Sequence, residues 1–474
     1  MSPQDENPPA PASGNSASSR RAARENSEQD ERRVQEATET ADGELPPPAA
    51  EATAPVPEPE TDPESDPQER SLLYRVMTGS ALVAFLSVVL SLILGGILIA
   101  VTDPEVARAS SYFFTRPLDT LSAAWSAASN AYVALFQGSV INVRGTSFTS
   151  VIYPLTQTLT VATPLICAGL GVALAFRAGL FNIGAQGQIL IGATFAAWVG
   201  FTLHLPAGVH LLLVVLAGMV GGAVWAGLVG VLKARTGAHE VILTIMFNYI
   251  ATNLVLYFLS TPAFQRPGST NPISPQLDST AVYPLLLGSA FRLHWGFVVA
   301  VVATVFVWWL LNRSTVGFEL RAVGANASAA RTAGISVSRG YILAMAIAGA
   351  LAGLAGVAQV SGTEQVLTSG VAASFGFDAI TVALLGRSSP WGTFAAGVLF
   401  GAFRAGGVTM QASTGTSIDI VLVVQSLIVL FIAAPPLVRA LFRLPVPGAE
   451  STGKRGKKNK GTPTRTPAST GAAA

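Results

Sequence analysis

The sequence predicts an all-α, polytopic membrane protein with about ten transmembrane helices. Half of its 474 residues are hydrophobic and only 12% are charged. The mean hydropathy of +0.50 is also higher than an ordinary soluble domain reaches. Apolar stretches of helix-spanning length recur from residue 76 onward, and polar groups interrupt them at only a few places. These interruptions are where we look for function.

The apolar stretches approach the length of about 20 residues that a helix needs to cross a bilayer. They cover residues 76–101, 154–176, 186–203, 209–232, 241–260, 293–312, 341–360, 376–388, 391–410 and 417–436. The stretch 376–388 is short, so we expect a half-helix joined to the preceding loop. An even number of spans predicts that both termini lie on the same side of the membrane.

The distribution of basic residues predicts which side that is. Cytoplasmic loops of membrane proteins carry an excess of Lys and Arg. Twelve basic residues fall on the side of the termini and five on the other. The twelve are Arg70, Arg75, Arg177, Lys233, Arg235, Arg313, Arg321, Arg331, Arg339, Arg387, Arg439 and Arg443. We therefore predict that both termini are cytoplasmic.

The two ends of the chain differ in composition from the 71–440 transmembrane domain. Residues 1–70 are rich in Pro and contain 17 of the 27 acidic residues but no aromatic residue. Such a segment buries too little apolar surface to offset the entropy of folding. Residues 441–474 are basic. We predict two disordered cytoplasmic tails, and we interpret the basic run as solvated rather than as a nucleic-acid-binding patch.

The residues needed for covalent or metal chemistry are sparse. The single cysteine, Cys167, allows no internal disulfide, and the four histidines are not spaced as metal ligands. A segment at 448–455 resembles a phosphate-binding loop but ends in Arg455, where Ser or Thr must hold the metal ion. We predict no catalytic residue, no metal site and no cofactor, and the chain is not expected to be an enzyme.

One polar interruption, residues 176–188, separates two strongly apolar stretches. This segment, which we call the break, reads Phe-Arg-Ala-Gly-Leu-Phe-Asn-Ile-Gly-Ala-Gln-Gly-Gln. Irregular backbone at membrane depth is tolerated where it borders protein or a watery cavity. Phe181, Asn182 and Gln186 are therefore candidates for a substrate path. The alternative is that the glycines and amides serve helix packing.

A second polar cluster lies on the stretch 241–260. Thr244, Asn248 and Thr252 are spaced by four residues and share one helical face, so this face is expected to point into the protein. Phe247 is a candidate for stacking on a flat ring, although plain packing explains it as well. Arg404 lies deep in its own stretch, and we expect it to pair with a carboxylate or to line the path.

The cytoplasmic segment 317–335, the coupling loop, is rich in small residues. Asn326 is a suitable N-cap for a short helix over 327–333 that ends at Gly334. A short helix of small residues fits a groove on a partner protein. The candidate contact residues are Glu319, Arg321, Gly324, Asn326, Ala329, Ala330 and Gly334.

Four separated motifs, at 176–188, 240–250, 321–335 and 377–387, together resemble the permease subunits of bacterial ATP-binding cassette (ABC) importers. The similarity is to the branched-chain amino acid/ribose permease family, and within it to the nucleoside permeases. It implies a path for nucleosides that opens by alternating access. It also implies that the coupling loop contacts separate cytoplasmic ATPase subunits. Many relatives carry Glu at the position of Gln186.

The resemblance further implies a second, identical or homologous permease subunit and an extracytoplasmic substrate-binding lipoprotein. The expected location is the bacterial plasma membrane, with lipid around the helices. Two alternatives remain open. One is an ABC permease for a simple sugar or a branched-chain amino acid. The other is an ion-coupled secondary transporter, for which Asp378 is the candidate titratable residue.

Overall fold

The computed structural model describes residues 80–444, and this range is mainly helical. The predicted tail at 1–70, and nearly all of the one at 441–474, lie outside the described residues. The first helices are α1 (Ser80–Thr102), α2 (Pro104–Ser110), α3 (Pro117–Ser139), α4 (Phe148–Arg177), α5 (Ala185–Thr202), α6 (Val209–Thr236), α7 (Glu240–Leu259) and α8 (Gly296–Arg313). The later ones are α9 (Thr315–Ala325), α10 (Ala327–Thr332), α11 (Val337–Val357), α12 (Phe375–Leu385), α13 (Pro390–Thr414), α14 (Ile418–Ala433) and α15 (Pro435–Leu441).

The all-α class is confirmed, but the count of ten spans is not. Within residues 80–444, seven helices are long and apolar enough to cross a membrane, or eight if the bent pair α14–α15 forms one span. Helix α5 has 18 residues but begins with two glutamines, which lower its hydropathy. Helix α12 has 11 residues, too few to cross alone, as expected for a half-helix.

Helix α4 lies at the centre of the bundle. It packs against α8, α11, α12 and α13, and every residue from 162 to 175 on it is buried. It ends at Arg177, where the break begins. The most buried helix therefore leads directly into the irregular segment.

Helices α6 and α11 cross with their backbones in contact. A Cβ atom on Gly222 would lie 2.1 Å from the carbonyl oxygen of Gly349, and one on Gly353 would lie 2.1 Å from that of Gly218. Small residues of this kind let membrane helices approach closely and gain packing contacts. The π-helical segment Ala358–Glu364 continues directly from α11, so this crossing holds its position.

The segment between α1 and α4 forms two helices that pack on the bundle. The Tyr132 hydroxyl donates a hydrogen bond to the carbonyl oxygen of Leu92, and Thr120 Oγ1 donates to that of Ala109. The start of α3 thus lies near α2, and its later turns lie beside earlier turns of α1. The two helices α1 and α3 run in opposite directions.

The loop 261–292, which the charge distribution predicts on the outer side and which we call the outer loop, folds over the end of α5 and over the segment that follows α11. The backbone N–H of Asp278 donates to Gly200 O at 2.9 Å, and that of Tyr283 donates to Ser361 O at 2.9 Å. The His204 ring, 3.1 Å from Asp278 Oδ2, holds the pKa of that carboxyl below its usual value. This loop closes one side of the cavity described below.

We expect Gly222→Ala to destabilise the fold, because the new methyl group meets the backbone of Gly349 with no side chain to move aside. Overpacking of this kind costs about 1–3 kcal/mol. Gly227→Ala on the same helix is the control, since its Cβ would lie 3.9 Å from the nearest atom. Thermal unfolding can be followed with a thiol-reactive dye, because the only cysteine, Cys167, is buried. Equal midpoints for the two variants would contradict the close crossing.

Candidate functional site

Asn248 on α7 holds the break in place. Residues 178–184 are not helical. The Asn248 side chain accepts a hydrogen bond from the backbone N–H of Gly187 at 2.8 Å and donates one to the carbonyl oxygen of Ile183 at 2.9 Å. The side chain is buried. One amide therefore satisfies a donor and an acceptor of the irregular backbone.

Asn182 and Gln188 pair with each other inside the break. The Asn182 Nδ2 donates to Gln188 Oε1 at 3.2 Å, and the Gln188 Nε2 donates to Asn182 Oδ1 at 3.0 Å. Asn182 Oδ1 also accepts from the backbone N–H of Gly184 at 2.9 Å. Both side chains are buried. Their hydrogen bonds are made within the protein.

Gln186 connects the break to the start of α12. Its Nε2 donates to the carbonyl oxygen of Ala373 at 2.6 Å, and its Oε1 accepts from the backbone N–H of Gly376 at 2.9 Å. A Cβ on Gly376 would lie 2.3 Å from the Gln186 backbone nitrogen, so only glycine allows this approach. The two segments, about 190 residues apart in sequence, are fastened side by side.

The two aromatic candidates have ring partners in the protein. Phe181 stacks on Phe176 with ring centroids 5.0 Å apart and keeps 43% of its surface exposed. Phe247 lies against Trp225 at 5.0 Å. Both contacts are of the kind that stabilises packed aromatic pairs.

A cavity of about 610 Å³ opens between α4, the π-helical segment, the loop 365–374, the outer loop and α13. Arg292, Phe291, Phe375 and Arg404 contribute to its lining. Its polar lining includes Gln157, Thr160, Gln359, Thr363, Glu364 and Gln365. The volume lies within the range of about 300–1,000 Å³ typical of small-molecule sites. This is the candidate functional site.

We call the segment from Ala358 to Phe375 the cavity wall, and its backbone is irregular. It begins with the π-helical turn and includes two non-glycine residues in the left-handed region, Gln365 at φ 56° and Ala373 at φ 40°. π-Helical turns and such conformations occur often at functional sites. Gln365 and Ala373 both line the cavity.

Arg404 lies at the cavity with its charge balanced. Its Nη1 is 3.2 Å from Asp378 Oδ2, which also accepts a hydrogen bond from Ser374 Oγ at 2.9 Å. The guanidinium carbon lies 4.3 Å from the centroid of the Phe375 ring, a cation–π contact. The expected carboxylate partner is thus found, and Arg404 also lines the cavity.

The structure separates the sequence-predicted residues into two groups. Arg404 lines the cavity and Gln186 is bonded to the cavity wall. The lining, as the described residues define it, does not include Phe181, Asn182, Phe247 or Asn248. Those four belong to the break and to its support on α7.

Sequence reasoning missed the amides of the cavity itself. Gln157 and Gln359 stand within the apolar stretches 154–176 and 341–360, where a lone amide is a signal for an inward-facing site. Glu364 follows in the same wall. Each signal is a single residue, and nothing local shows that α4 and the π-helical segment face one another.

The coupling loop forms two short helices, α9 and α10. Asn326 caps α10, as predicted, by accepting from the backbone N–H groups of Ser328 and Ala329, both at 3.0 Å. Gly334 ends it in the left-handed region at φ 82°. Other candidates divide by exposure: Glu319, Arg321, Asn326, Ala329 and Gly334 are exposed, whereas Ala330 packs inside.

Gly324 faces the break rather than solvent. A Cβ on Gly324 would lie 2.2 Å from the carbonyl oxygen of Arg177, and one on Gly179 would lie 2.9 Å from the Cα of Gly324. The α9 backbone therefore touches the first residues of the break directly.

Comparison with known protein families gives a match that covers more than half of the chain. The family described as the branched-chain amino acid transport system / permease component matches residues 154–433. The chain belongs to this permease family. No solved structure shows a significant match to it.

Named relatives of the permease share much of its length. The guanosine ABC transporter permease protein NupP of Bacillus subtilis (strain 168) is 40% identical over 289 residues, 61% of this chain and 83% of the relative. The glucose ABC transporter permease protein TsgB13 of Haloferax volcanii is 34% identical over 343 residues, 70% and 90% of the two chains. The nucleoside ABC transporter permease protein NupB of Lactococcus lactis subsp. cremoris is 37% identical over 324 residues, 64% and 85%.

Membership in this family defines the function of the protein in general terms. It is a multi-pass membrane protein and the permease component of an ABC transporter, a class that associates with ATPase and substrate-binding partners. The matched region includes the break, the coupling loop and the cavity wall.

In this permease, we expect Asn248→Ala to lower the thermal midpoint strongly. It leaves the Gly187 N–H and the Ile183 carbonyl without their partner, and an unsatisfied buried polar group costs about 1–3 kcal/mol. Asn253→Ala is the control, because Asn253 bonds only to Tyr249 O on its own helix and is exposed. Thermal unfolding in detergent measures both. A midpoint for Asn248→Ala equal to that of the control would show that the break does not depend on this side chain.

Proposed function

We propose that this chain is the permease of an ATP-driven nucleoside importer, and that the cavity is its substrate chamber. The observation that carries the proposal is the composition of the cavity: amides, hydroxyls and two phenylalanine rings around a space of about 610 Å³. Amides and hydroxyls suit base edges and ribose hydroxyls, and the rings supply apolar contact. Two of the named relatives are nucleoside or guanosine permeases.

The charges of the cavity bear on the choice between a neutral solute and an amino acid. Arg404 is paired with Asp378, and the lining also holds one further residue of each sign, Glu364 and Arg292. A branched-chain amino acid presents a carboxylate, for which an uncommitted cation at the site is the expected partner. Arg404 is committed to Asp378 and Phe375 and does not serve as that cation. Arg292, which has no ion pair within residues 80–444, is the lining residue that an amino acid carboxylate would use.

A simple sugar is the second candidate. The glucose permease TsgB13 matches 70% of the chain, and a cavity rich in amides also suits sugar hydroxyls. The two candidates differ in the base, which needs apolar contact with a ring face. Competition between guanosine and glucose for the same uptake distinguishes them.

We further propose the assembly expected of such an importer. Two permease subunits would form the path, with both termini in the cytoplasm of a bacterial cell and the chain in its plasma membrane. The exposed residues of α9 and α10 would contact the ATPases, and a substrate-binding lipoprotein would deliver the solute to the outer face. Phe181, Asn182, Phe247 and Asn248 would act in the inner part of the path.

Uptake by the reconstituted complex tests the function. Proteoliposomes that contain the permease, its ATPases and its binding protein are loaded with ATP, and entry of labelled guanosine, glucose and leucine is measured. We expect guanosine uptake that requires ATP and that excess unlabelled nucleoside abolishes. Uptake that continues with inactive ATPases and collapses with the proton gradient would favour an ion-coupled transporter instead.

We expect Gln359→Ala to weaken substrate use. Loss of one hydrogen bond of about 1–1.5 kcal/mol raises the KM for guanosine roughly five- to tenfold. Gln411→Ala, an exposed residue outside the cavity lining, is the control and keeps the original KM. An unchanged KM for Gln359→Ala would place the substrate elsewhere.

We expect Arg404→Gln to reduce uptake, because it leaves the Asp378 carboxylate without its cation. The double variant Arg404→Gln with Asp378→Asn removes both charges and is expected to recover part of the loss. Contacting residues usually show coupling of 0.5–3 kcal/mol in such a cycle. Initial uptake rates of the wild type and the three variants give the coupling. Strictly additive losses would argue against a functional pair.

A further inference from the structure

We propose that Gln186 transmits movement of the coupling loop to the cavity wall, and so acts as a positioning residue for transport. The inference rests on the proposed role of the coupling loop as the ATPase contact. Gln186 would complete a route between two places that the fold keeps apart, the α9 helix and the cavity.

The inner end of the route is the contact between α9 and the break. Gly324 and Gly179 meet backbone to backbone, with no side chain between them. Such a contact has no flexible atoms to absorb a displacement. A shift of α9 therefore moves the break or separates the two segments.

The middle of the route is stiff. The Asn182–Gln188 pair connects the irregular segment to the first turn of α5, and Asn248 bonds to both Ile183 and Gly187. These side chains are buried, so water does not compete for their hydrogen bonds. The residues from 182 to 188 are expected to move as one unit.

The outer end of the route is Gln186. It accepts from the Gly376 N–H, directly after the cavity wall, at 2.9 Å and donates to the Ala373 carbonyl, within the wall, at 2.6 Å. Ala373 and Phe375 line the cavity. A displacement of the break thus reaches the lining through these two hydrogen bonds.

The cavity wall has features of an element with more than one arrangement. Ala373 is held in the left-handed region, and two buried polar atoms, Ser361 Oγ and His294 Nε2, have no hydrogen-bond partner within residues 80–444. A Cβ on Gly362 would lie 2.4 Å from the His294 ring, so these groups meet at the wall. Buried polar atoms are usually paired, and a second arrangement of the wall can supply the partners.

A residue that only stabilises the local structure, a local fastener, would give a different experimental result from a residue that transmits movement. Loss of a fastener lowers stability, whereas loss of a transmitter separates ATP hydrolysis from transport. Gln186→Met tests this, because Met retains the length of the side chain and removes both hydrogen bonds. Gln411→Met is the matched control on an exposed site away from the route.

The experiment uses the complete complex in proteoliposomes. Guanosine uptake and ATP hydrolysis are measured on the same samples, and thermal midpoints are measured on the purified complexes. For Gln186→Met we expect hydrolysis within about twofold of wild type and at least a fivefold fall in guanosine transported per ATP. The control keeps the wild-type ratio.

A second readout reports the wall itself and needs no substrate. Thr363→Cys places a thiol on the cavity lining, and the native Cys167 is buried. A membrane-impermeant thiol reagent is applied with and without ATP and vanadate. We expect the addition of ATP and vanadate to change the labelling rate of the Thr363→Cys thiol at least fivefold when Gln186 is present. In the Gln186→Met background we expect a change of less than twofold.

The outcomes distinguish the transmission route through Gln186 from the nucleoside assignment of the permease. A Gln186→Met complex that keeps the wild-type ratio and the ATP-dependent labelling change overturns the transmission route. A fall in thermal midpoint with both readouts intact identifies a local fastener and also overturns it. A wild-type complex that shows the labelling change but imports no guanosine contradicts the nucleoside assignment and leaves the route supported.

Discussion

The hydrogen bonds from Asn248 to the break are the constraint on which the rest of the site depends. Backbone polar groups inside a membrane protein need internal partners, because no bulk water replaces them. The chain leaves its helical path for the seven residues 178–184. One buried amide on a neighbouring helix, together with the Asn182–Gln188 pair, makes that departure possible. The apolar helices around the break then pack as ordinary membrane helices do.

The cavity exists because several irregular elements meet at one place. The close glycine crossing of α6 and α11 positions the π-helical segment, and the outer loop bonds to it through Tyr283. Gln186 fixes the other end of the wall. Each irregular element is tolerated because it borders protein or the cavity rather than lipid. The polar side chains that face the space between these elements form the lining of the cavity.

The balanced pair Arg404–Asp378 connects the electrostatics of the site with its proposed use. A guanidinium inside a membrane protein needs a partner, and here the carboxylate and the Phe375 ring both provide one. A polar chamber with few charged residues results. This agrees with a permease family whose named relatives include both nucleoside and glucose transporters.

The sequence by itself determined the class of the protein, the position of the break and the cap of α10. Hydropathy and capping are local properties, so they can be read without knowing the neighbours. Only the tertiary structure decided which amides face the cavity. Asn248 and Gln359 are both amides within apolar stretches, and the sequence does not indicate what either side chain contacts. One meets backbone and the other meets the cavity, because a buried amide accepts any suitable partner and the packing of distant helices determines which partner is there.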